Sequence, residues 1–246
     1  MSLFHSQCDV RACLGVMNYG QKGYLFAADK KNETEKVKTV VDASIKLGIY
    51  VLVDFHYTGS ELYINEAKEF FKEMSSEYKG IPNVLYEILN EAVHIPWPKL
   101  KEYHETIIPI IRENDPDAII ICGTPEYDQQ VLDAYNDPIT NFNNIMYTLH
   151  FYSAEQCELL RSNVEKVLEK NFPLFVTEHG LSLGSGGGPL NKQEMNIWWQ
   201  INKNESSTAL IPGSTSKDVG KDTCLSESGK YVKQMLLNKQ PLPIGC

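Results

Sequence analysis

The sequence predicts an α/β fold built on a parallel sheet. Short runs rich in Val, Ile, Leu and aromatic residues recur along the chain, the composition of strands buried on both faces. Between them lie segments whose apolar residues fall three and four apart, the helical period. The two kinds of segment alternate, and alternation with crossover helices makes a parallel sheet.

After a short mixed start, Val10 to Val16 reads as a strand carrying Arg11 near its beginning. Glu33 to Gly48 reads as a helix, with Val37, Val40, Val41, Ser44 and Ile45 on one face and Gly48 closing it. Tyr50 to His56 is a buried strand that ends in Asp54 and His56, and Leu62 to Gly80 is the next helix. Val84 to Glu91 is a strand closing on Asn90 and Glu91. Pro98, a good first-turn residue, opens a helix to about Asn114. Ala118 to Cys122 is a strand, followed by a Gly-Thr-Pro turn and a short helix from about Asp128 to Tyr135. Ile145 to Tyr152 is a strand ending in His150 and Tyr152; a helix follows from Ala154 to Asn171. Leu174 to Gly180 is a strand that delivers Glu178, and the Gly184 to Gly188 stretch is a loop. A helix bearing Trp198 and Trp199 and a last helix from about Ser226 to Lys239 complete the reading.

That gives six clear strands. The length of 246 residues suits one large domain, and about 250 residues is usual for a (β/α)8 barrel. The polar residues His56, Glu91, His150, Tyr152 and Glu178 gather at strand ends. In a barrel those ends form the catalytic face; in an open sheet they line a crevice. No glycine-rich phosphate loop follows a strand, which weakens a nucleotide reading.

The net charge is −9 and no basic run stands out, which argues against nucleic acid and anionic membranes as partners. No apolar run is long enough to span a bilayer. The first residues lack the charged start and long apolar core of a signal peptide. Six cysteines are present without a C-x-x-C pair, so a structural zinc site is not expected. Two glycosylation triplets, at Asn32 and Asn204, fit a secreted protein.

Two carboxyl groups can cleave a glycosidic bond, one protonating the leaving oxygen while the other meets the developing positive charge. Glu91 beside Asn90 and Glu178 beside Thr177 are the candidates. Asn90 can hold a sugar hydroxyl, and Tyr152 and Arg11 can hydrogen-bond an ionised carboxylate. His56 and His150 can bind hydroxyls, and Trp97, Trp198 and Trp199 can stack on sugar rings. Glu87, inside its strand, reads as structural. His94 and His104 read as surface residues. Asp54 with His56, or His150 with His179, are possible metal ligands, but no H-x-H or H-E-x-x-H spacing supports a metal site.

These motifs resemble glycoside hydrolase family 5, in particular its subfamily-2 endo-β-1,4-glucanases. VRACLGV resembles the family's Arg-bearing second strand, VKTVVDASIKLGIYVLVDFH its following helix and third strand, and YEILNEA the YEIFNEP signature of the fourth. IIICGTP, NNIMYTLHFY and LFVTEHG resemble the fifth to seventh strands, and ESSTALIPG and SESGKYVKQ the region through the last helix. The resemblance implies a (β/α)8 TIM barrel as a single catalytic domain over residues 1–246, acting by a retaining mechanism on cellulose and related β-glucans. It implies Glu91 as acid/base and Glu178 as nucleophile, with carboxyl groups about 5 Å apart. Arg11, His56, Asn90, His150 and Tyr152 match its supporting residues, Tyr127 stands where a stacking Trp is usual, and Trp199 is a candidate for the Trp beside the nucleophile. No metal or organic cofactor is implied. The expected protein is a secreted monomer.

The chain departs from the family in places. Only a short stretch precedes the Arg-bearing strand, so most of strand 1 and helix 1 are expected to be missing. Near Trp199 the sequence moves from a helix straight to ESSTAL, a shortfall of about fifteen to twenty residues around strand 8. The alternative reading is therefore a catalytically impaired relative that binds glucan weakly.

Overall fold

The computed structural model describes residues 9–17, 22–156, 158–191, 221–225, 227 and 230. The chain divides into two compact units. The first contains Met1–Leu149 and Lys166–Thr177; the second contains His150–Glu165 and Glu178–Cys246.

The strands are β1 (Asp9–Gly15), β2 (Tyr50–His56), β3 (Thr58–Gly59), β4 (Val84–Glu87), β5 (Glu91–Ala92), β6 (Ile120–Cys122), β7 (Ile145–Tyr152) and β8 (Leu174–Gly180). The helices are α1 (Lys30–Leu47), α2 (Ile64–Glu77), α3 (Trp97–Asn114), α4 (Pro125–Asp128), α5 (Val131–Asn136) and α6 (Glu158–Leu168). Six strands form one sheet in the order β1-β2-β4-β6-β7-β8. The registered pairs β1–β2, β2–β4, β4–β6 and β6–β7 all run parallel. This is the predicted α/β architecture, with all six expected strands in place. The segments expected to betray missing pieces, Met1 to Gln7 and the region around Trp199, lie outside the described residues, as does nearly all of the expected last helix.

Local chemistry accounts for the elements of the first unit. Asp29 caps α1 by accepting from the Asn32 amide, and Gly48 ends it in the left-handed region at φ 69°. Val51, Val53 and Phe55 pack on one face of β2. Phe55 meets Phe70 and Phe71 of α2, each with ring centroids 6.1 Å away. On the other face Leu52, Leu85, Ile121 and Phe175 form a buried apolar layer. Each comes from a different strand, and side chains two residues further along point the same way. Those next positions include Asp54, Glu87 and Thr177, so a polar layer stands directly beyond the apolar one.

One strand differs from expectation. The run Val84 to Glu91 is not continuous: β4 stops at Glu87, and Glu91 begins β5. Val51 faces Val84 before the break and Thr58 faces Glu91 after it, so the register is unchanged. The polar groups at the break are satisfied: the Ile88 amide donates to the Ile121 carbonyl at 3.0 Å, and the Tyr103 hydroxyl donates to the Ile88 carbonyl at 2.7 Å. Gly123 passes so close that a Cβ there would meet the Leu89 carbonyl oxygen at 2.9 Å. The short helix expected over 128–135 is two pieces, because Glu126, Tyr127 and Asp128 all have φ between 50° and 58° and interrupt the helical path. His104 is fully buried rather than on the surface, since α3 turns it toward the Gly123 carbonyl at 2.9 Å. His94 is exposed as expected.

Candidate active site

In the first unit the site is built around Arg11. Its side chain is 3% exposed and its Nε donates to Glu87 Oε2 at 2.5 Å and approaches Asp54 Oδ2 at 3.2 Å. Its Nη2 donates to Asn90 Oδ1 at 2.6 Å. The guanidinium thus binds the strand β1 edge to β2, β4 and the segment beyond β4. A planar donor fork suits that task better than an ammonium. The Asn90 amide orientation follows: the oxygen faces the guanidinium, and Nδ2 donates to Thr58 Oγ1 at 3.1 Å. Glu87 is fully buried and also accepts from Thr177 at 2.6 Å. Thr177 in turn contacts the Thr148 hydroxyl.

Glu91 has another setting. It sits one residue beyond the buried Asn90, is half-buried itself, and accepts from Thr58 Oγ1 at 2.9 Å. His56 Nδ1 lies 2.7 Å from Asp54 Oδ2. Partial desolvation works against charge on this ring, but the Asp54 carboxylate outweighs it and holds the imidazole well above its ordinary pKa. Tyr127 is exposed, with its backbone at φ 58°. The preceding Glu126 carboxylate accepts from the His94 amide at 2.8 Å.

The second unit carries the other carboxylate. Glu178 is 8% exposed, and the Tyr152 hydroxyl donates to its Oε1 at 2.5 Å. His150 Nδ1 lies 3.9 Å from Oε2. Next to it, the His179 ring stacks on Phe151 at 5.5 Å and 16°. The Ser153 amide donates to the Gly180 carbonyl at 2.8 Å, joining the ends of β7 and β8. The Tyr152 hydroxyl and the His150 ring thus both face the buried Glu178 carboxylate.

Arg11, Asn90 and Glu87 are therefore brought together in one unit, and His150, Tyr152 and Glu178 in the other. Trp199 lies outside the described residues. Sequence reading missed Thr58, which meets both Asn90 and Glu91, and the pairing of Arg11 with Asp54 and Glu87. The signal for the latter was available: Asp54, Glu87, Thr148 and Thr177 interrupt apolar strands at positions that all share one face.

Residues 10–211 match the family described as Cellulase (glycosyl hydrolase family 5). Endoglucanase Z of Dickeya dadantii is 39% identical over 242 residues, covering 92% of this chain and 54% of that protein. Endoglucanase A of Evansella cellulosilytica is 37% identical over 229 residues, covering 85% and 47%. The chain thus spans about half the length of the curated relatives it matches. Among solved structures, Cellulase Cel5C_n superposes with a TM-score of 0.85 at 36% identity, covering 95% of this chain and 77% of the other. The catalytic domain of Thermobifida fusca endoglucanase Cel5A in complex with cellotetraose superposes at 0.82 and 28% identity, covering 90% and 79%.

Proposed function

This chain belongs to glycosyl hydrolase family 5, and on that premise we propose that it is a retaining endo-β-1,4-glucanase acting on cellulose and related β-glucans. The observation that supports it most is the environment of Glu178, a buried carboxylate hydrogen-bonded by Tyr152 at 2.5 Å. In this reading a Glu178 oxygen attacks the anomeric carbon as the glycosidic C–O bond breaks. Glu91 gives its proton to the departing sugar oxygen. Glu91 then takes a proton from water, whose oxygen displaces Glu178 and frees the sugar. Asn90, held by Arg11, presents its amide to a sugar hydroxyl; His56 and His150 serve other hydroxyls, and Tyr127 offers a stacking face. Residues 1–246 are read as one catalytic domain that works as a secreted monomer without a cofactor.

Hydrolysis of carboxymethyl-cellulose by the wild type, lost in Glu178→Gln, is the expected result. An aryl cellobioside with a leaving group that needs no proton separates the roles: Glu91→Gln still releases the phenolate in a first burst, and Glu178→Gln does not. A folded wild type that cuts neither substrate overturns the proposal.

A further inference from the structure

We propose that Cys13, His56 and Asp54 form a binding site for a thiophilic divalent cation, of the Zn²⁺ or Cd²⁺ kind, and that filling it stops hydrolysis. The second half of this statement rests on the function proposed above. Cys13 lies in β1 and the other two in β2, where parallel register sets Cys13 beside Asp54 and Gly15 beside His56. Residues two apart on a strand share a face, so all three side chains project to one side. A Cys13 Sγ, an Asp54 carboxylate oxygen and a His56 ring nitrogen lie within 4.8 Å of one another. Donors around a tetrahedral ion stand about 3.5 Å apart, so side-chain rotation closes the cluster without moving a strand.

A second, independent observation points to a ligand. Asp54 is fully buried, yet its Oδ1 has no hydrogen-bond partner among the described residues. Its Oδ2 already serves His56 and Arg11. A buried oxygen without a donor is costly and calls for an explanation. Access is open, since Cys13 is exposed and carries a free thiol. The Arg11 guanidinium is divided between Asp54 and Glu87.

Binding is a proton-for-metal exchange. The thiol proton of Cys13 and the proton between His56 Nδ1 and Asp54 leave for solvent. The ion bonds sulfur, nitrogen and oxygen, and water completes its shell. Nothing is oxidised or reduced. The bound ion withdraws His56 from sugar hydroxyls and pulls Asp54 away from Arg11, which positions Asn90.

The test titrates metal-free protein with Cd²⁺ and follows the ultraviolet thiolate-to-cadmium absorption. The expected result is one equivalent taken up by the wild type, no band in Cys13→Ser, and at least about tenfold weaker uptake in His56→Ala. In parallel, Zn²⁺ is expected to abolish wild-type hydrolysis of carboxymethyl-cellulose and a chelator to restore it. Cys13→Ser is expected to keep its basal rate and resist the ion. A band of equal size in Cys13→Ser overturns the site. A Cys13-dependent band without loss of hydrolysis overturns the coupling. If the untreated wild type does not hydrolyse glucan, the functional reading fails while the absorption still decides the site.

Discussion

Glu87 and Glu91 come from one stretch of sequence, four residues apart, and have opposite settings. Glu87 is fully buried and tied to Arg11 and Thr177. Glu91 is half-buried and is met by the Thr58 hydroxyl. A buried carboxylate locked against a guanidinium fixes the strands that carry the pair. A half-buried carboxylate at the start of β5 keeps a face open to solvent. The break between β4 and β5 separates the two settings while the strand register stays unchanged.

Glu91→Gln should show the largest effect, on rate alone. Removal of the proposed general acid is expected to lower kcat on carboxymethyl-cellulose by about 10²–10⁴-fold, while the thermal midpoint stays within error of the wild type. An equal loss of stability in this variant would erase the distinction between the two glutamates.

Glu87→Gln should do the reverse and act first on stability. The amide keeps the shape but turns N–H groups toward Arg11, leaving a buried guanidinium short of a counter-charge. Removing one partner of a buried ion pair costs about 3–5 kcal/mol, to be read as a lower urea midpoint at unchanged m-value. A midpoint unchanged within about 0.5 kcal/mol would show that Arg11 is satisfied by Asp54 alone.

These opposite roles were only partly legible in the sequence. Strand placement followed from apolar runs, and Asn90 and Glu91 stood out because a polar pair ended one of them. Glu87 also read as structural, but its partner did not: Arg11 lies 76 residues away, and only strand order makes them neighbours. His104 misled because a histidine among charged residues in an amphipathic helix looks like a surface group. Its burial depends on where the Gly123 turn falls, which helical periodicity does not encode. The β4–β5 break was hidden because its register is unbroken; what changes is the backbone path, directed by Tyr103 and Gly123.

His104 tests how acid-sensitive the support of that path is. Burial lowers its pKa to about 4, so the ring stays neutral in the fold and its Nε2 donates to the Gly123 carbonyl. The unfolded chain takes up a proton near the ordinary value of 6.5. Above that value the contribution to stability is fully present. It is lost as pH falls from about 6.5 to about 4, where it levels off, and the total is about 3 kcal/mol. His104→Gln keeps a donor without the titration and should show a flatter fall in urea midpoint across this window. Parallel curves for the two proteins would show that the acid loss arises elsewhere than at His104.

Tyr103→Phe gives the smallest effect and the finest test of the break. The ring is fully buried and its hydroxyl meets the Ile88 carbonyl at 2.7 Å, at the point where β4 has ended and β5 has not begun. Phenylalanine retains the packing and leaves that carbonyl without its donor, at a cost of about 1–3 kcal/mol. Because Ile88 precedes the segment that turns Asn90 toward Arg11 and Glu91 toward Thr58, the loss should reach the rate as well. The expected result is a modest drop in kcat together with the lower midpoint, and a Glu87 cluster that still resists exchange of the Arg11 side-chain protons. Loss of protection at Arg11 would mean that the break supports both glutamates; protection with a reduced rate would mean that it positions Glu91 alone.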